Sequence, residues 1–448
     1  MNIKQVKNAV FLENGVFIKY IYEDISFPAN NIQEEYQFLP ILISLPSKVE
    51  LHQLGNEIGK KHETAFIYTE EFTKYDLGRS HPLNQERIRL HYELCKDLGI
   101  LDSSSVRFAK PKYATDKEIR LVHSEDYVNK VVAMSKNGYG LLDLGDTPAF
   151  PGMYEITSLI VGATLQATDF VMSENIPHAW NPAGGLHHAQ RDHAAGFCIF
   201  NDVAIAIEVL KTRYNVQRIL YFDHDVHHGD GVQWIFFTDP RVLTVSFHES
   251  GRYIFPGTGF IDEIGEGTGK GYSVNVPFPP NTSDETYLHA FKEIIPRLFD
   301  LFKPEVVVQQ CGVDGHFSDP LGHLALTTHA YKEIASMMHK LVHTFSDGRW
   351  IVVGGGGYNL ASVPRCWATI FSQLIGITPK NELPTRWRDT FKRITGGEAP
   401  TTLYDSCGPQ LSINTREMVF STVQKTVAQV KANLEQYPPT LNEAVAPR

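Results

Sequence analysis

The segment RILYFDHDVHHGD, residues 218–230, changes character at its midpoint. Its first part is rich in apolar and aromatic residues, which is typical of a buried strand. The second part is dense in aspartate and histidine, and Asp223, Asp225 and His227 alternate along it. An extended backbone places alternate side chains on the same side. We therefore predict a buried strand that ends in a cluster of converging polar side chains.

Three further segments have the same layout, in which an apolar run is followed closely by glycine, aspartate or histidine. They are VLTVSF (242–247), EVVVQQ (305–310) and WIVV (350–353). Stretches with apolar residues at helical spacing cover 156–172, 203–212, 285–302, 329–345 and 414–436. This alternation predicts an α/β protein with a single domain, in which a mostly parallel central sheet is sandwiched by helices. The ligand site of such a sheet lies at the carboxyl ends of its strands.

Both ends of the chain look separable from this domain. Residues 1–65 contain only short or alternating apolar runs, and we expect them to form an N-terminal extension that packs on the domain edge. The main domain is predicted to span residues 66–437. Residues 438–448 are expected to form a C-terminal tail.

The composition argues against several classes of protein. The net charge of −10 comes without a basic stripe, so direct binding of nucleic acid is not expected. The five cysteines are widely spaced and include no CxxC pair, which argues against disulfides and against a thiolate zinc site. We find no signal sequence and no apolar run that approaches the ~20 residues of a membrane span. We therefore expect a soluble intracellular protein that is not secreted and does not bind membranes.

The polar cluster favours a metal site. Buried histidines and aspartates are costly to desolvate unless they are paired or bind a cation. Asp223, Asp225 and His227 can converge, and Asp314 follows the neighbouring predicted strand in the sequence QCGVD. A catalytic zinc ion takes three protein ligands of this kind and keeps a position open for water. Fe(II) or another divalent ion also suits such ligands.

The remaining polar residues supply the groups that hydrolysis needs. His187 and His188, in GGLHHA, are candidates for the base that activates water and protonates the leaving group. Asp223 and Asp230 are available to orient the two rings. Tyr358 follows four glycines and can donate a hydrogen bond to an oxyanion. Taken alone, a His-His pair or a glycine-rich turn before tyrosine is more often structural, and only the combination favours a catalytic site.

The ordered set of motifs resembles the zinc-dependent histone deacetylase family, in the class I-like pattern. The motifs are GGLHHA, AAGFCIFND, DHDVHHGDGVQ, VSFHE, FPGTG, QCGVD and GGGGY, and the similarity runs from about residue 67 to about residue 436. The resemblance implies an arginase/deacetylase-like fold and makes residues 66–437 a deacetylase catalytic domain. It also implies hydrolysis of N-ε-acetyl-lysine in histones or other proteins.

The resemblance assigns roles to individual residues. It implies that Asp225, His227 and Asp314 bind one zinc ion. The other catalytic roles that it implies are general base and acid for His188, electrostatic partner for His187, support of these histidines for Asp223 and Asp230, and polarisation of the acyl carbonyl for Tyr358. The substrate-binding residues implied are Asp146, Gly196, Phe197, Phe255, Leu321 and Gly356, with Asp146 at the rim of the tunnel.

Structural potassium ions are a further implication of the resemblance. One site would use oxygens of Asp223, Asp225, His227, Ser246 and Phe247. A second would use Phe236, Asp239, Val242 and Tyr272.

Departures from the family pattern narrow the expected substrate. One branch of the family has histidine at the position of Tyr358 and deacetylates acetyl-lysine poorly, so we expect a competent deacetylase. Leu321 occupies the position at which polyamine-specific members carry glutamate, which disfavours a polyamine substrate. Members that bind corepressors through inositol phosphate have basic residues at the positions of Asn84, Pro320 and Ala361, so a corepressor complex of that kind is not expected.

Two other functions stay open at this point. The first is hydrolysis of longer acyl-lysines or of a small-molecule amide by the same chemistry. The second is a non-catalytic acyl-lysine-binding scaffold. The family resemblance places the protein in the nucleus, the cytoplasm or both, with an acetylated protein or histone tail as its partner.

Overall fold

The computed structural model describes residues 10–11, 18–19, 64–143 and 145–440. The chain divides into two compact units, Met1–Lys60 and Lys61–Arg448. The first unit contains β1 (Val10–Phe11) and β2 (Ile18–Lys19), which pair antiparallel. Most of the expected N-terminal extension lies outside the described residues, as does the tail from residue 441, so the packing of residues 1–65 on the domain edge stays a prediction.

A single eight-stranded sheet organises the second unit. In chain order its strands are β3 (Thr64–Ile67), β4 (Val106–Ala109), β5 (His178–Asn181), β6 (Ile219–Asp223), β7 (Val242–Glu249), β8 (Ser273–Phe278), β9 (Val306–Gln310) and β10 (Trp350–Val353). The order across the sheet is β4-β3-β5-β10-β9-β6-β7-β8. Every neighbouring pair is parallel, which confirms the predicted sheet.

Helices connect the strands and flank the sheet. They are α1 (Glu86–Asp97), α2 (Asp116–Ile119), α3 (Glu125–Asn137), α4 (Met153–Ser173), α5 (Asp202–Thr212), α6 (Asp230–Phe236), α7 (Asp284–Phe302), α8 (Thr328–Phe345), α9 (Val363–Leu374), α10 (Thr385–Thr395) and α11 (Ile413–Gln436). Short 3-10 turns occupy Glu70–Lys74 and Gly267–Gly269. The five helices predicted from apolar spacing are all present, with ends within three residues of those expected.

Alternate side chains of β5 show how the two helical layers cover the sheet. The ring of Trp180 lies 6.2 Å from that of Trp367 on α9. The next residue, Asn181, points to the opposite face, where its amide donates to Thr164 on α4 (2.9 Å). Both faces are therefore buried, which explains why β10 is apolar throughout and β6 is apolar as far as Asp223, without alternation.

Four strands of this sheet, β3, β4, β5 and β8, were not predicted, and in β4, β5 and β8 polar residues break the apolar run. The sequence of β5 is HAWN, with two polar residues that are nonetheless fully buried. The edge strand β4 reads VRFA and is partly exposed along its length. Burial of these segments depends on helices that are distant in sequence, so their local pattern is weak.

Among the described residues, one helix, α4, is long and apolar enough to cross a membrane by length and composition. Most of its apolar window, 78%, is buried inside the structure, where the helix packs against β3, β5 and β10. The apolar surface of α4 is therefore part of the protein core.

The side chain of Asp405 links α8 and α9, the helices that follow β9 and β10. Its carboxylate accepts hydrogen bonds from Arg365 on α9 (2.9 Å), His316 (2.9 Å) and the backbone N–H of Thr328 on α8 (2.9 Å). Burial alone would raise the pKa of Asp405, but His316 and Arg365 hold it well below its usual range. The carboxylate therefore stabilises the fold wherever it is ionised.

We expect Asp405→Asn to lower the free energy of unfolding by about 3 kcal/mol at pH 7, because the buried guanidinium of Arg365 loses its anion. The folded-state pKa is depressed, so this contribution is complete above the unfolded-state pKa of about 4 and disappears as the pH falls through and below it. Urea unfolding from pH 7 to pH 3 measures the difference. The exposed Asp389→Asn is the control, and an equal loss in both variants at pH 7 would contradict this assignment.

Candidate active site

The order of strands brings distant polar residues to one edge of the sheet. The neighbouring strands β5, β10, β9 and β6 end at Asn181, Val353, Gln310 and Asp223. The loops after them carry the two histidines 187–188, the glycines 354–357, Asp314 and the pair Asp225 and His227. The predicted cluster therefore assembles from four loops at the carboxyl ends of adjacent strands.

Asp225, His227 and Asp314 form a buried group with the geometry of metal ligands. One ligand atom from each lies within 4.8 Å of the others. His227 Nδ1 is 3.1 Å from Asp225 Oδ1 and 3.1 Å from Asp314 Oδ2. Ligand atoms bound tetrahedrally at about 2.0–2.1 Å are roughly 3.3 Å apart, so a divalent cation fits this spacing with little rearrangement.

The charges of the cluster also fit a cation. Burial and the neighbouring Asp225 raise the pKa of Asp314 to about 7. Burial opposes protonation of His227, but hydrogen bonds to Asp225 and Asp314 raise its pKa to about 10. Two carboxylates thus face one another at a buried point, and a bound divalent cation would neutralise both.

The ligands are held by backbone and amide donors from the flanking strands. Asp225 Oδ2 accepts from the Gln310 side chain (2.7 Å) and from the Gly356 N–H (2.7 Å). Asp314 Oδ1 accepts from the Val226 N–H (2.8 Å). A Cβ atom at Gly356 would overlap Asp314, so only glycine lets this loop approach the ligands. Gly356, predicted to bind substrate, lies directly against the metal ligands.

Each histidine of the 187–188 pair rests on its own carboxylate. His187 Nδ1 is 2.8 Å from Asp223, and His188 Nδ1 is 2.6 Å from Asp230. Burial and the nearby His187 lower the pKa of His188 to about 4. Burial would also lower the pKa of His187, but Asp223 and Asp225 have the larger effect and raise it to about 9. The pKa values of the two imidazoles are thus shifted in opposite directions, and their Nε2 atoms are 3.0 Å apart.

Tyr358 lies beside the cluster at the end of the glycine-rich loop. Its ring is 6.4 Å from that of His227 and 5.8 Å from that of Phe197. Burial and the nearby Asp314 raise the pKa of Tyr358 well above its ordinary value, so the phenol stays protonated and can donate a hydrogen bond. Asp319 accepts from the backbone N–H groups of Tyr358 (2.7 Å) and Leu321 (3.0 Å) and thereby fixes both positions.

Arg87 is a residue of the site that the sequence did not reveal. It is buried on α1, and its guanidinium donates to the carbonyls of Gly355 (2.7 Å) and Gly357 (2.9 Å). The same group lies 5.2 Å from the centre of the Trp367 ring. Arg87 thus holds the loop that carries Tyr358, although it precedes that loop by some 270 residues. No local signal marks it, since a lone arginine on an amphipathic helix is usually a surface residue.

Aromatic rings enclose the approach to the cluster. The ring of Phe255 lies 4.9 Å from that of His188, and Phe197 faces Tyr358 on the other side. A Cβ atom at Gly196 would overlap the His188 ring, so the absence of a side chain there keeps the passage open. The predicted tunnel residues are therefore adjacent to the predicted catalytic ones.

A pocket of about 750 Å³ lies next to this passage and is lined by Asp143, Asp146, Gly196 and Phe255 among others. Asp143 Oδ1 accepts from the backbone N–H groups of Gly145, Asp146 and Thr147. The carboxylate that organises this turn is thus Asp143. Burial and a hydrogen bond with Asp143 raise the pKa of Asp146 to about 6. Asp146 is left at the rim as an acceptor.

The two sets of residues expected to bind potassium lie at the end of β6 and in the loop after it, on β7 and in the turn before it, and, for Tyr272, just before β8. Ser246 and Phe247 are on β7, and Ser246 pairs with Asp223 in the sheet. In the second set, the carbonyls of Phe236 and Asp239 accept from the N–H groups of Asp239 (2.9 Å) and Val242 (3.2 Å). Potassium binding at either set stays a prediction.

Comparison with known proteins identifies similar sequences. Residues 81–374 match the family model described as the histone deacetylase domain. The acetoin utilization protein AcuC of Bacillus subtilis (strain 168) is 44% identical over 334 residues, which cover 72% of this chain and 85% of that protein. AcuC of Staphylococcus xylosus is 38% identical over 377 residues, or 82% of this chain and 97% of that protein.

The contacts of Arg87 predict a specific catalytic defect. Arg87→Lys keeps the positive charge but cannot make both guanidinium hydrogen bonds to the two glycine carbonyls. Tyr358 should therefore be positioned less accurately. We expect kcat to fall on the order of 10²-fold, as for other small misplacements of catalytic groups, while bound metal is unchanged. Steady-state kinetics with metal analysis measures both. Arg89→Lys, on the same helix but paired with the partly exposed Glu86, is the control, and equal kinetics for the two variants would refute the role of Arg87.

Proposed function

The chain belongs to the histone deacetylase family, and from that premise we propose that it is a zinc-dependent hydrolase of N-ε-acetyl-lysine in proteins. The observation that carries the proposal is the buried group of Asp225, His227 and Asp314 beside two carboxylate-supported histidines. Together with Tyr358, this set offers candidate metal ligands, a base and an oxyanion donor beside one apolar passage, as amide hydrolysis requires.

Asp225, His227 and Asp314 would hold the metal. When bound, a zinc ion supplies Lewis-acid polarisation of the acyl carbonyl and lowers the pKa of water toward ~7. The two aspartates come from separate loops, and each is fixed by donors from the neighbouring strands. The ligands are thus positioned before the ion binds, which reduces the reorganisation that binding requires.

His188 is proposed to carry the proton. The water oxygen forms a bond to the acyl carbon while His188 Nε2 takes the water proton, and Asp230 keeps the ring oriented through Nδ1. The bond between the acyl carbon and the lysine nitrogen then breaks as the same ring returns the proton to that nitrogen. The products are acetate and a free lysine side chain. His187, held on Asp223, contributes its field to this step.

Tyr358 is proposed to stabilise the oxyanion. As water adds, charge develops on the former carbonyl oxygen, and a protonated phenol at the edge of the cluster can donate to it. Three contacts support this role, because Asp319 fixes the Tyr358 backbone, Arg87 holds the adjoining glycines and Phe197 packs on the ring.

The passage fits an acyl-lysine stem. The rings of Phe197 and Phe255 provide an apolar wall for the methylene chain, and Asp146 at the rim can accept from a peptide N–H group. Leu321 offers no charge to attract a polyamine. Asn84, Pro320 and Ala361 offer none for inositol phosphate, and we propose that the protein acts without a corepressor bridged by that anion.

The relatives shift the expected substrate away from histones. Both are bacterial proteins named for acetoin utilization, and bacterial cells have no nucleus. The expected nuclear location and the role in chromatin therefore receive no support from them. We propose an acetylated protein of bacterial-type metabolism as the substrate class.

Tyr358→Phe should separate chemistry from metal binding. Because one oxyanion donor is worth on the order of 10²-fold or more in rate, we expect kcat to fall by that amount with unchanged zinc content. Kinetics on an acetyl-lysine peptide and metal analysis of the same preparation measure the two quantities. Tyr113→Phe, at an exposed position, serves as control. A Tyr358→Phe variant with unimpaired turnover would remove the tyrosine from the mechanism.

A substrate panel tests the function itself. We expect acetyl-lysine peptides to be hydrolysed with a higher kcat/KM than longer acyl-lysine peptides, free N-ε-acetyl-lysine or acetylated polyamines. The advantage over free acetyl-lysine should shrink in Asp146→Ala, since a rim acceptor contacts only a peptide backbone. Faster turnover of an acetylated polyamine or of a longer acyl-lysine peptide would contradict the proposed substrate class. Binding of acetyl-lysine peptide without turnover of any substrate would indicate a non-catalytic scaffold.

A further inference from the structure

A second group of potential metal ligands lies far from the proposed active site. His178, His339 and His343 each offer one ring nitrogen within 4.8 Å of the others. His178 is the first residue of β5 and the other two are on α8. The catalytic loops follow the carboxyl ends of the strands, so this triad of histidines lies at the opposite edge of the sheet.

The spacing on α8 suits a shared ligand. His339 and His343 are four residues apart, which places their rings on the same face of the helix. This i, i+4 arrangement of histidines is the one used by helical zinc motifs. Their ring centroids are 4.8 Å apart, and that of His178 lies 4.8 Å from His339 and 5.1 Å from His343.

Backbone carbonyls orient two of the rings. His178 Nδ1 is 2.8 Å from the carbonyl of Leu374, and His339 Nδ1 is 2.7 Å from the carbonyl of Gln373. A neutral ring that donates from Nδ1 to a carbonyl leaves Nε2 unprotonated, and in His178 this Nε2 faces His343. A metal-binding histidine is typically fixed in this way by a carbonyl on its other nitrogen.

The distances and the surroundings both suit a cation. His178 Nε2 lies 3.1 Å from His343 Nε2, close to the roughly 3.3 Å between ligands bound tetrahedrally at about 2.0–2.1 Å. Gln373 and Leu374 are the last residues of α9, and the carbonyl end of a helix favours positive charge. His339 and His343 are only partly buried, so an ion can reach them from solvent.

We propose that His178, His339 and His343 bind a divalent first-row transition ion, with zinc as the best-suited member. Neutral imidazoles favour zinc, copper and nickel over magnesium or calcium. A proton shared between His178 and His343 would account for one short contact, whereas one ion accounts for the convergence of all three rings. The ion would tie α8 to the start of β5, two segments that are 165 residues apart at His178 and His343.

Zinc stoichiometry tests this site. The full-length protein is equilibrated with zinc chloride, passed through a desalting column and analysed for zinc per chain. Wild-type protein should retain one zinc ion more than the double variant His339→Gln/His343→Gln. The matched control is His289→Gln, a partly buried histidine on α7, which should retain the wild-type amount. Equal zinc in the double variant and wild type would overturn the proposal.

Two further measurements keep the result separate from folding and from catalysis. Circular dichroism establishes that the double variant is folded, and if it is not, His343→Gln alone is compared in its place. Cobalt(II) spectra give an independent readout, because wild type should show an additional absorption component from nitrogen-bound cobalt that the variant lacks. Identical spectra would contradict the site. Hydrolysis of acetyl-lysine should be the same in both proteins, so a failure of the proposed activity leaves this test unaffected.

Discussion

The convergence of two carboxylates and one imidazole on a single buried point is the constraint on which the rest of this structure depends. Asp225 and Asp314 raise the free energy of the fold unless a cation or proton lies between them, and backbone donors from the loops after β10 and β6 hold both in place. A parallel sheet covered by helices on both faces meets this demand, because its strand ends bring distant loops together while excluding water. The same crowding requires glycine near these aspartates, because a Cβ atom at Gly356 would overlap Asp314.

Much of this could be predicted from sequence where the signal is local. The apolar runs of β6, β9 and β10 are not alternating because both faces of these strands are buried, and the polar cluster or the glycine-rich loop follows them closely. Other features depend on contacts between distant segments. Arg87 and Asp319 support the Tyr358 loop, yet neither lies in a distinctive sequence pattern. The strand β5 is buried, but its polar residues do not predict a buried strand. The first sixty residues lie largely outside the described part of the chain.

The side chains of the site change from buried charged groups in its interior to apolar rings at its entrance. Asp223, Asp225 and Asp314 are almost fully buried, whereas the ring of Phe255 is well exposed and borders the entrance together with Phe197. We propose that this arrangement admits a neutral acyl group on an apolar stem and places its carbonyl beside the hydrogen-bond donors and the candidate metal ligands. Family membership and this arrangement agree on a deacetylase.

Hydrolysis is proposed to depend on a metal ion held by Asp225, His227 and Asp314. The most direct measurement removes all metal with a chelator and follows hydrolysis of an acetyl-lysine peptide as zinc is returned. We expect no turnover without metal, recovery on addition of zinc, and no recovery in Asp314→Asn at the same zinc concentrations. Full turnover by protein that metal analysis shows to be free of metal would contradict this dependence.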